Sequence, residues 1–341
     1  METNKNHTYI IAEIGPNHNG EIQRALDMIE QLARVGVDAV KFQITVPENA
    51  YSLDAFKADY QKKESNSGES AVNMSKSYKL SFEDHFTLYQ HCLENKVDYL
   101  CSAFEMESLK FINENFNLPF YKIPSGEIFS VDLIEYMAKY DKPFILSTGM
   151  ASYDEIEKSI ELINSNFKKD ITILHCISNY PAPYEDVNLN VMLELKKRFD
   201  YPIGFSDHTI GNDASIAAVA LGASIIEKHV TQDKSLPGPD HKASITIEEF
   251  GELVKSIRNV EKMLGSTEKK LSEEELKIKK AVRKSFVATK DLPSGHVLEK
   301  EDITFKRPGI GISPLERNNY IGKILKKSVK ENRVIKKEDF E

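Results

Sequence analysis

Two short stretches place imidazoles where they can act together. Residues 204–208 read GFSDH and residues 224–229 read SIIEKH. Their apolar runs, Ile203–Phe205 and Ser224–Ile226, end in polar and ionisable groups, and the Ala-rich run Ala214–Leu221 lies between them. The order strand, helix, strand predicts a βαβ unit with parallel strands. Alternate strand residues share a face, so Ser206 faces with His208 and Glu227 with His229. Two imidazoles at matching ends of neighbouring parallel strands can converge on one ion. An isolated histidine is ordinarily a surface or satisfied core residue. A pair at equivalent strand ends, beside Asp207 and Glu227, reads as a metal-ligand pattern. Imidazole with carboxylate or water suits Mn, Fe, Zn or Co better than Mg.

The elements that must carry these residues repeat along the chain. Apolar, β-rich runs recur at Tyr9–Ile14, Ala39–Ile44, Tyr99–Phe104, Phe120–Ile123, Pro143–Leu146 and Ile171–Cys176, ahead of the two strands above. Helical periodicity fills the intervals Ile22–Val35, Phe82–Glu94, Met106–Asn115, Val131–Lys139, Tyr153–Asn164 and Val191–Arg198. Alternation of this kind over about 250 residues predicts an α/β fold, a (β/α)8 TIM barrel. A doubly wound open sheet is the alternative. It is disfavoured because Gly15-Pro16-Asn17-His18-Asn19-Gly20, after the first strand, matches neither a dinucleotide-binding nor a P-loop pattern. The polar insert from Pro47 to Tyr78, which contains Lys62 to Gly68, reads as a long loop at the barrel mouth, a common place for a lid.

Barrel chemistry sits at the C-terminal ends of strands. Those positions hold Glu13, Asn17 and His18; Lys41 and Gln43; Ser102; Lys122, Ser125 and Glu127; Ser147 and Thr148; Asn179 and Tyr180; then Ser206, Asp207, His208, Glu227 and His229. Lys41 and Lys122 end buried strands, where an unpaired charge is costly, so they call for an anionic partner. With Ser125, Gly126, Ser147, Thr148 and Gly149 as donors, a phosphate or carboxylate fits.

The bulk numbers narrow the class. The 341 residues carry 45 basic and 53 acidic side chains, a net charge of −8, which argues against general nucleic-acid binding. Cys92, Cys101 and Cys176 have no paired spacing and read as reduced thiols. No signal-peptide or membrane-length apolar run is present, so a cytoplasmic protein with no membrane partner is expected. After the barrel region, 1–265, the charged run Ser266–Lys280 reads as a connector helix within 266–282. Residues 283–341 change texture, with short β-type runs and turns. Within them Lys290–Ile303 and Lys327–Phe340 echo each other, which suggests a pseudo-symmetric β unit. So small a unit is expected to pack on something else.

Together the motifs AEIGPNHNG (12–20), VKFQ (40–43), YKIPSGE (121–127), LSTGM (146–150), YPAPYEDVNL (180–189), FSDHTIG (205–211), EKHVTQDKSLPGPDHKAS (227–244) and KRPGIGI (306–312) resemble the sialic acid synthase family. That family comprises bacterial N-acetylneuraminate synthases and their legionaminate-making relatives, and the resemblance spans nearly the whole chain. It implies a TIM barrel followed by a small antifreeze-like (SAF, β-clip) domain, in a domain-swapped homodimer. It implies a transferase that condenses phosphoenolpyruvate with an N-acylmannosamine-type sugar, releasing phosphate by C–O cleavage. On this resemblance Lys122, Ser125 and Ser147 bind phosphoenolpyruvate, with Lys41 at the anionic end, and Ser178 is a further substrate-binding residue. Gln43, Tyr180 and Asp240 surround the sugar or the reacting centre, and Arg307 reaches a neighbour's site. Glu13, Lys41, Gln43, Glu127 and Glu227 are the candidate catalytic groups. His208 and His229 would hold a divalent metal, Mn²⁺ ahead of Mg²⁺ or Co²⁺. Two departures stand out: Cys101-Ser102-Ala103-Phe104 replaces a common Ser-Thr-Pro-Phe, and Ser178 stands where some members have Asn. The alternatives are another phosphoenolpyruvate-dependent 3-deoxy-keto-acid synthase, a metal-dependent aldolase, or a non-catalytic sugar-binding relative.

Overall fold

Parallel strands with helices between them build the first part of the chain. The structure is a computed structural model that describes residues 7–64 and 69–340. It divides into two compact units, Met1–Gly265 and Ser266–Glu341. The first unit carries β1 (Tyr9–Glu13), β2 (Ala39–Ile44), β3 (Asp98–Ala103), β4 (Tyr121–Ile123), β5 (Phe144–Ser147), β6 (Ile171–Cys176), β7 (Ile203–Asp207) and β8 (Ile225–Thr231). They pair in the order β3-β2-β1-β8-β7-β6-β5-β4, all parallel. The two ends of that order, β3 and β4, pack against each other, so the ring is a TIM barrel.

Helix α1 (Ile22–Val35) follows β1, and α2 (Pro47–Ala50), α3 (Asp59–Glu64), α4 (Ala71–Tyr78) and α5 (Phe82–Glu94) follow β2. Next come α6 (Met106–Asn115), α7 (Val131–Ala138), α8 (Tyr153–Ile163), α9 (Tyr184–Val187), α10 (Asn190–Arg198) and α11 (Asp213–Ala220). A two-residue strand β9 (Ile245–Thr246) on β8 leads into α12 (Ile247–Leu264). Local signals set these ends. Ser81 with Asp84, Ser152 with Glu155 and Thr246 with Glu249 form reciprocal capping boxes at the starts of α5, α8 and α12. Gly36, at φ 89°, ends α1 in the left-handed region.

The insert from Pro47 to Tyr78 departs from the loop expected there. It holds three short helices, α2 to α4, the last capped by Ser70. Ser65 to Gly68 lie outside the described residues.

Strand parity sorts the barrel into two layers of side chains. Outward residues such as Ile10, Val40, Tyr99, Phe144, Ile173, Phe205 and Ile226 pack beneath the helices. Inward, Ile11, Ala39, Leu100, Ile145, Leu174 and Ile225 form an apolar plug. Two residues further along the same strands stand Glu13, Lys41, Ser102, Ser147, Cys176 and Glu227. The interior therefore turns from apolar to ionisable within one step of the strand repeat.

The second unit holds helix α13 (Glu273–Val282), the antiparallel pair β10 (Ser285–Ala288) and β11 (Ile303–Lys306), and a short α14 (Arg317–Tyr320). Its core is Phe286, Leu292, Leu298, Ile312, Leu325 and Ile335. The sequence echo is structural. Lys300–Asp302 and Lys337–Asp339 form matching turns in which Asp302 accepts from the Glu299 amide (2.9 Å) and Asp339 from the Lys336 amide (2.7 Å). Leu292 and Val329 exchange backbone bonds of 2.8 Å between the two copies.

Candidate active site

The strand ends of the first unit open into a cavity of about 440 Å³. Its floor is an alternating set of buried charges. Lys41 Nζ lies 2.6 Å from Glu13 Oε2 and 3.9 Å from Glu227 Oε2. Lys122 Nζ lies 3.6 Å from Glu227 Oε1 and donates to Ser147 Oγ at 2.8 Å. Gln43 Nε2 donates to Glu13 Oε1 (2.8 Å), and Ser206 Oγ to Glu227 Oε1 (3.1 Å). The anionic partners the lysines call for are thus supplied in part by carboxylates of their own chain. Burial raises the Glu13 carboxyl, and Lys41 only partly offsets it. Burial also opposes the charge on Lys41, but Glu13 and Glu227 outweigh it and hold the ammonium above its ordinary value. Lys122 is lowered by burial despite Glu227.

One wall is lined with hydroxyls and thiol: Ser125, Ser147, Ser178, Ser206 and Cys176. The Gly149 amide donates to Ser125 Oγ at 3.0 Å. A Cβ on Gly149 would fall 2.1 Å from Ser178 Oγ and 2.8 Å from Ser125 Oγ, so a side chain there would displace both hydroxyls. Gly15 is similarly constrained: at φ 48° its Cβ would meet Glu13 Oε1 at 2.6 Å.

The opposite wall is a ladder of rings. His208 and His229 have ring centroids 5.4 Å apart, and Tyr180 sits 4.1 Å from His208 and 5.6 Å from His229. Tyr60, on α3 of the insert, stacks on Tyr180 at 4.9 Å. His208 Nδ1 donates to the Ile177 carbonyl at 2.7 Å, leaving Nε2 as the lone-pair nitrogen. His229 Nδ1 is buried with no hydrogen-bond partner and lies 3.6 Å from Asp240 Oδ2. Burial pushes Asp240 up to about 7. An orphaned buried imidazole nitrogen beside a second imidazole fits a divalent cation. Among the described residues no set of three His, Cys, Asp or Glu is arranged to hold an ion, so other ligand positions would belong to water or substrate.

Most sequence-predicted residues meet here: Glu13, Lys41, Gln43, Lys122, Ser125, Ser147, Ser178, Tyr180, His208, Glu227, His229 and Asp240 all line the cavity. Glu127 does not. Its carboxylate accepts from Ser130 Oγ at the start of α7. Asp207 also faces away from the histidines and pairs with Lys228 behind the barrel wall. Asn17 ties the first loop to β8 through Val230 O (2.9 Å) and to the segment before β9 through Ser244 Oγ (2.8 Å). Asn179 is exposed. Arg307 belongs to the second unit, where it is exposed before a cis proline. Sequence reasoning missed Tyr60, Tyr51, Met74 and Tyr78, which the insert contributes to the lining. Only the Leu174-x-Cys176 parity could have flagged Cys176 as inward.

A barrel with paired lysines and carboxylates beneath two imidazoles at its strand ends has the makings of an enzyme active site. The chain belongs to the NeuB family, matched over residues 28–269, and residues 283–341 match the SAF domain. It is 43% identical to the N,N'-diacetyllegionaminic acid synthase of Campylobacter jejuni subsp. jejuni serotype O:2, over 96% of this chain and 99% of that protein. It is 35% identical to the human N-acetylneuraminate-9-phosphate synthase, over 97% and 92% of the two chains. The crystal structure of N-acetylneuraminic acid synthetase from Leptospira borgpetersenii serovar Hardjo-bovis, in complex with citrate, superposes with a TM-score of 0.71 at 31% identity. That match covers 80% of this chain and 90% of the other. Among the described residues no helix is long and apolar enough to cross a membrane.

Proposed function

We propose that the chain is a nonulosonic acid synthase that condenses phosphoenolpyruvate with a 2-acetamido-mannose-type sugar and water, giving a nine-carbon α-keto acid and phosphate. The observation that carries the reading is the two-sided cavity. Lysine ammoniums, hydroxyls and the Gly149 corner suit a phosphate and a carboxylate, and the rings with Asp240 suit a sugar. The 43% identity to a diacetyllegionaminic acid synthase, with Met74 and the tyrosines of the insert in the lining, supports the 2,4-diacetamido-6-deoxy sugar over N-acetylmannosamine. His208 and His229 would hold a divalent cation, Mn²⁺ foremost. Bound there, it supplies Lewis-acid polarisation of the sugar's aldehyde oxygen.

The chain's own residues orient and neutralise. Lys41 and Lys122 hold the charge of phosphoenolpyruvate while its C3 attacks the aldehyde carbon. Water adds at C2, and the C2–O bond to phosphate then breaks. Glu13, buried and with its carboxyl raised, handles a proton beside that centre. The working form in this reading is a cytoplasmic, domain-swapped homodimer in which the partner subunit's Arg307 contacts the N-acyl group.

The test is phosphate release from phosphoenolpyruvate with a panel of mannosamine derivatives, with and without chelator. Turnover that requires the acetamido sugar and is lost in His208→Ala supports the reading. Phosphate release with a plain aldose, such as a four- or five-carbon sugar phosphate, would overturn it in favour of a 3-deoxy-keto-acid synthase.

A further inference from the structure

Behind the cavity wall, one residue out of phase with the two histidines, lies a buried ion pair. Lys228 Nζ donates to Asp207 Oδ2 at 2.8 Å and to the Thr209 carbonyl at 2.9 Å. The side chains are 1% and 0% exposed. Asp207 Oδ1 accepts from both the amide and the hydroxyl of Thr209 at 2.8 Å, and Oδ2 accepts from Ser215 Oγ at 2.6 Å. Every bond in the cluster therefore ends on β7, the loop after it, or α11.

The placement gives this cluster a purpose. β7 ends at Asp207, and its last paired position is Asp207 opposite Lys228. His208 lies one residue past the ladder, so regular strand pairing does not locate it. Its two chain neighbours, Asp207 and Thr209, are both fastened to Lys228. Lys228 is itself flanked by Glu227 and His229. One ammonium thus clamps both sides of His208 to the strand that carries His229. The pair is internally neutral and faces away from the cavity, so it acts through position and not through field.

We propose that Lys228 is a positioning residue for the two-imidazole site, fixing with Asp207 the separation of His208 and His229. This rests on the metal reading above. It makes cation affinity, not only stability, depend on a residue that touches neither substrate nor ion.

The test titrates Mn²⁺ into the full-length, chelator-stripped protein and reads the free-ion signal by electron paramagnetic resonance, alongside thermal unfolding. Lys228→Met should raise the Mn²⁺ Kd by about tenfold or more, in the range seen for residues that orient metal ligands. Asp207→Asn/Lys228→Met leaves no unpaired buried charge, and Asn still accepts from Thr209. It should recover most of the lost Tm but not the affinity, and it carries the test if Lys228→Met fails to fold. Ile257→Ala, a core truncation in α12 away from the clamp, should lower Tm with Kd unchanged. Double-variant binding within twofold of wild type overturns the proposal, as does equal weakening by Ile257→Ala. Wild-type protein that holds no Mn²⁺ overturns the metal reading as well, whereas normal wild-type binding with unaffected variants overturns this inference alone.

Discussion

Gly149→Ala isolates the hydroxyl corner of the cavity. The added methyl would sit 2.1 Å from Ser178 Oγ, whereas ordinary contact begins at 3.4 Å. Ser178 must therefore retreat by roughly 1.3 Å, more than a packed wall absorbs without rearrangement. Ser125 is pressed too, with Oγ at 2.8 Å and Cβ at 3.2 Å, and its 3.0 Å bond from the Gly149 amide is strained. If these hydroxyls hold the anionic substrate, each is worth about 1.5–3 kcal/mol as a hydrogen bond to a charged group. Losing one costs about 10- to 150-fold in apparent affinity. The expected result is a KM for phosphoenolpyruvate raised at least tenfold, with the sugar KM little changed and a stability loss of about 1 kcal/mol. Steady-state phosphate release with each substrate varied in turn measures this. Ser178→Ala removes the worst clash, so Gly149→Ala/Ser178→Ala should be no weaker than Gly149→Ala alone, a non-additive cycle. An unchanged phosphoenolpyruvate KM, or a rise confined to the sugar, would refute the assignment of this corner.

Three further outcomes are expected. Tyr60→Ala should raise the sugar KM several-fold by removing the ring stacked on Tyr180, while Tyr60→Phe keeps it near wild type, in the same assay. Co-expressed His208→Ala and Arg307→Ala chains should recover activity through mixed dimers; confirmed heterodimers without recovery would mean that Arg307 does not serve a partner's site. In the second unit, burial opposes but Lys290 and His296 together hold Asp302 down to about 2, against an ordinary 3.8. At about 1.4 kcal/mol per tenfold change in proton affinity, and discounted for the exposed Lys290, the contribution is about 1–2 kcal/mol. A depressed carboxyl stabilises above its unfolded value, so this stability is full above pH 4 and lost as pH falls toward 2. Urea unfolding across that window should show the loss in wild type and flatten it in Asp302→Asn.

Much of this arrangement was legible because strand parity is rigid. Position at the strand ends singled out Glu13, Lys41, Ser147 and Glu227, and the period of two put His208 and His229 at matching places on neighbouring strands. The same parity places Asp207 and Lys228 on the opposite face, so counting Asp207 as a metal-side acid ran against the sequence's own evidence. The sequence called for anionic partners to Lys41 and Lys122 without naming them, because those partners come from other strands: Glu13 from β1 and Glu227 from β8. Sequence spacing carries no information about that distance. The insert was opaque for another reason. Its helices are four, six and eight residues long, too short for an amphipathic period to emerge, and they are positioned by tertiary contacts such as Tyr60 on Tyr180. Glu127 follows a true strand end within SGE, but the short turn Ser125–Glu127 aims Ser125 into the cavity and Glu127 at Ser130.

The internal pairing of the lysines changes how an anion must bind. Two ammoniums and two carboxylates leave the floor close to neutral before substrate arrives, so affinity cannot come from a standing excess of positive charge. In the condensation proposed above, an incoming phosphate or carboxylate draws Lys41 and Lys122 partly away from Glu13 and Glu227. Glu13 then loses the cation that offsets its burial, and its hold on a proton tightens. Glu227, kept below the usual carboxylate range against burial mainly by Lys122 and Lys41, feels the same loss. Substrate charge and carboxyl protonation are thereby coupled through the lysines that touch both. In the condensation proposed here, that coupling brings a proton onto the floor of the cavity when the anion occupies it.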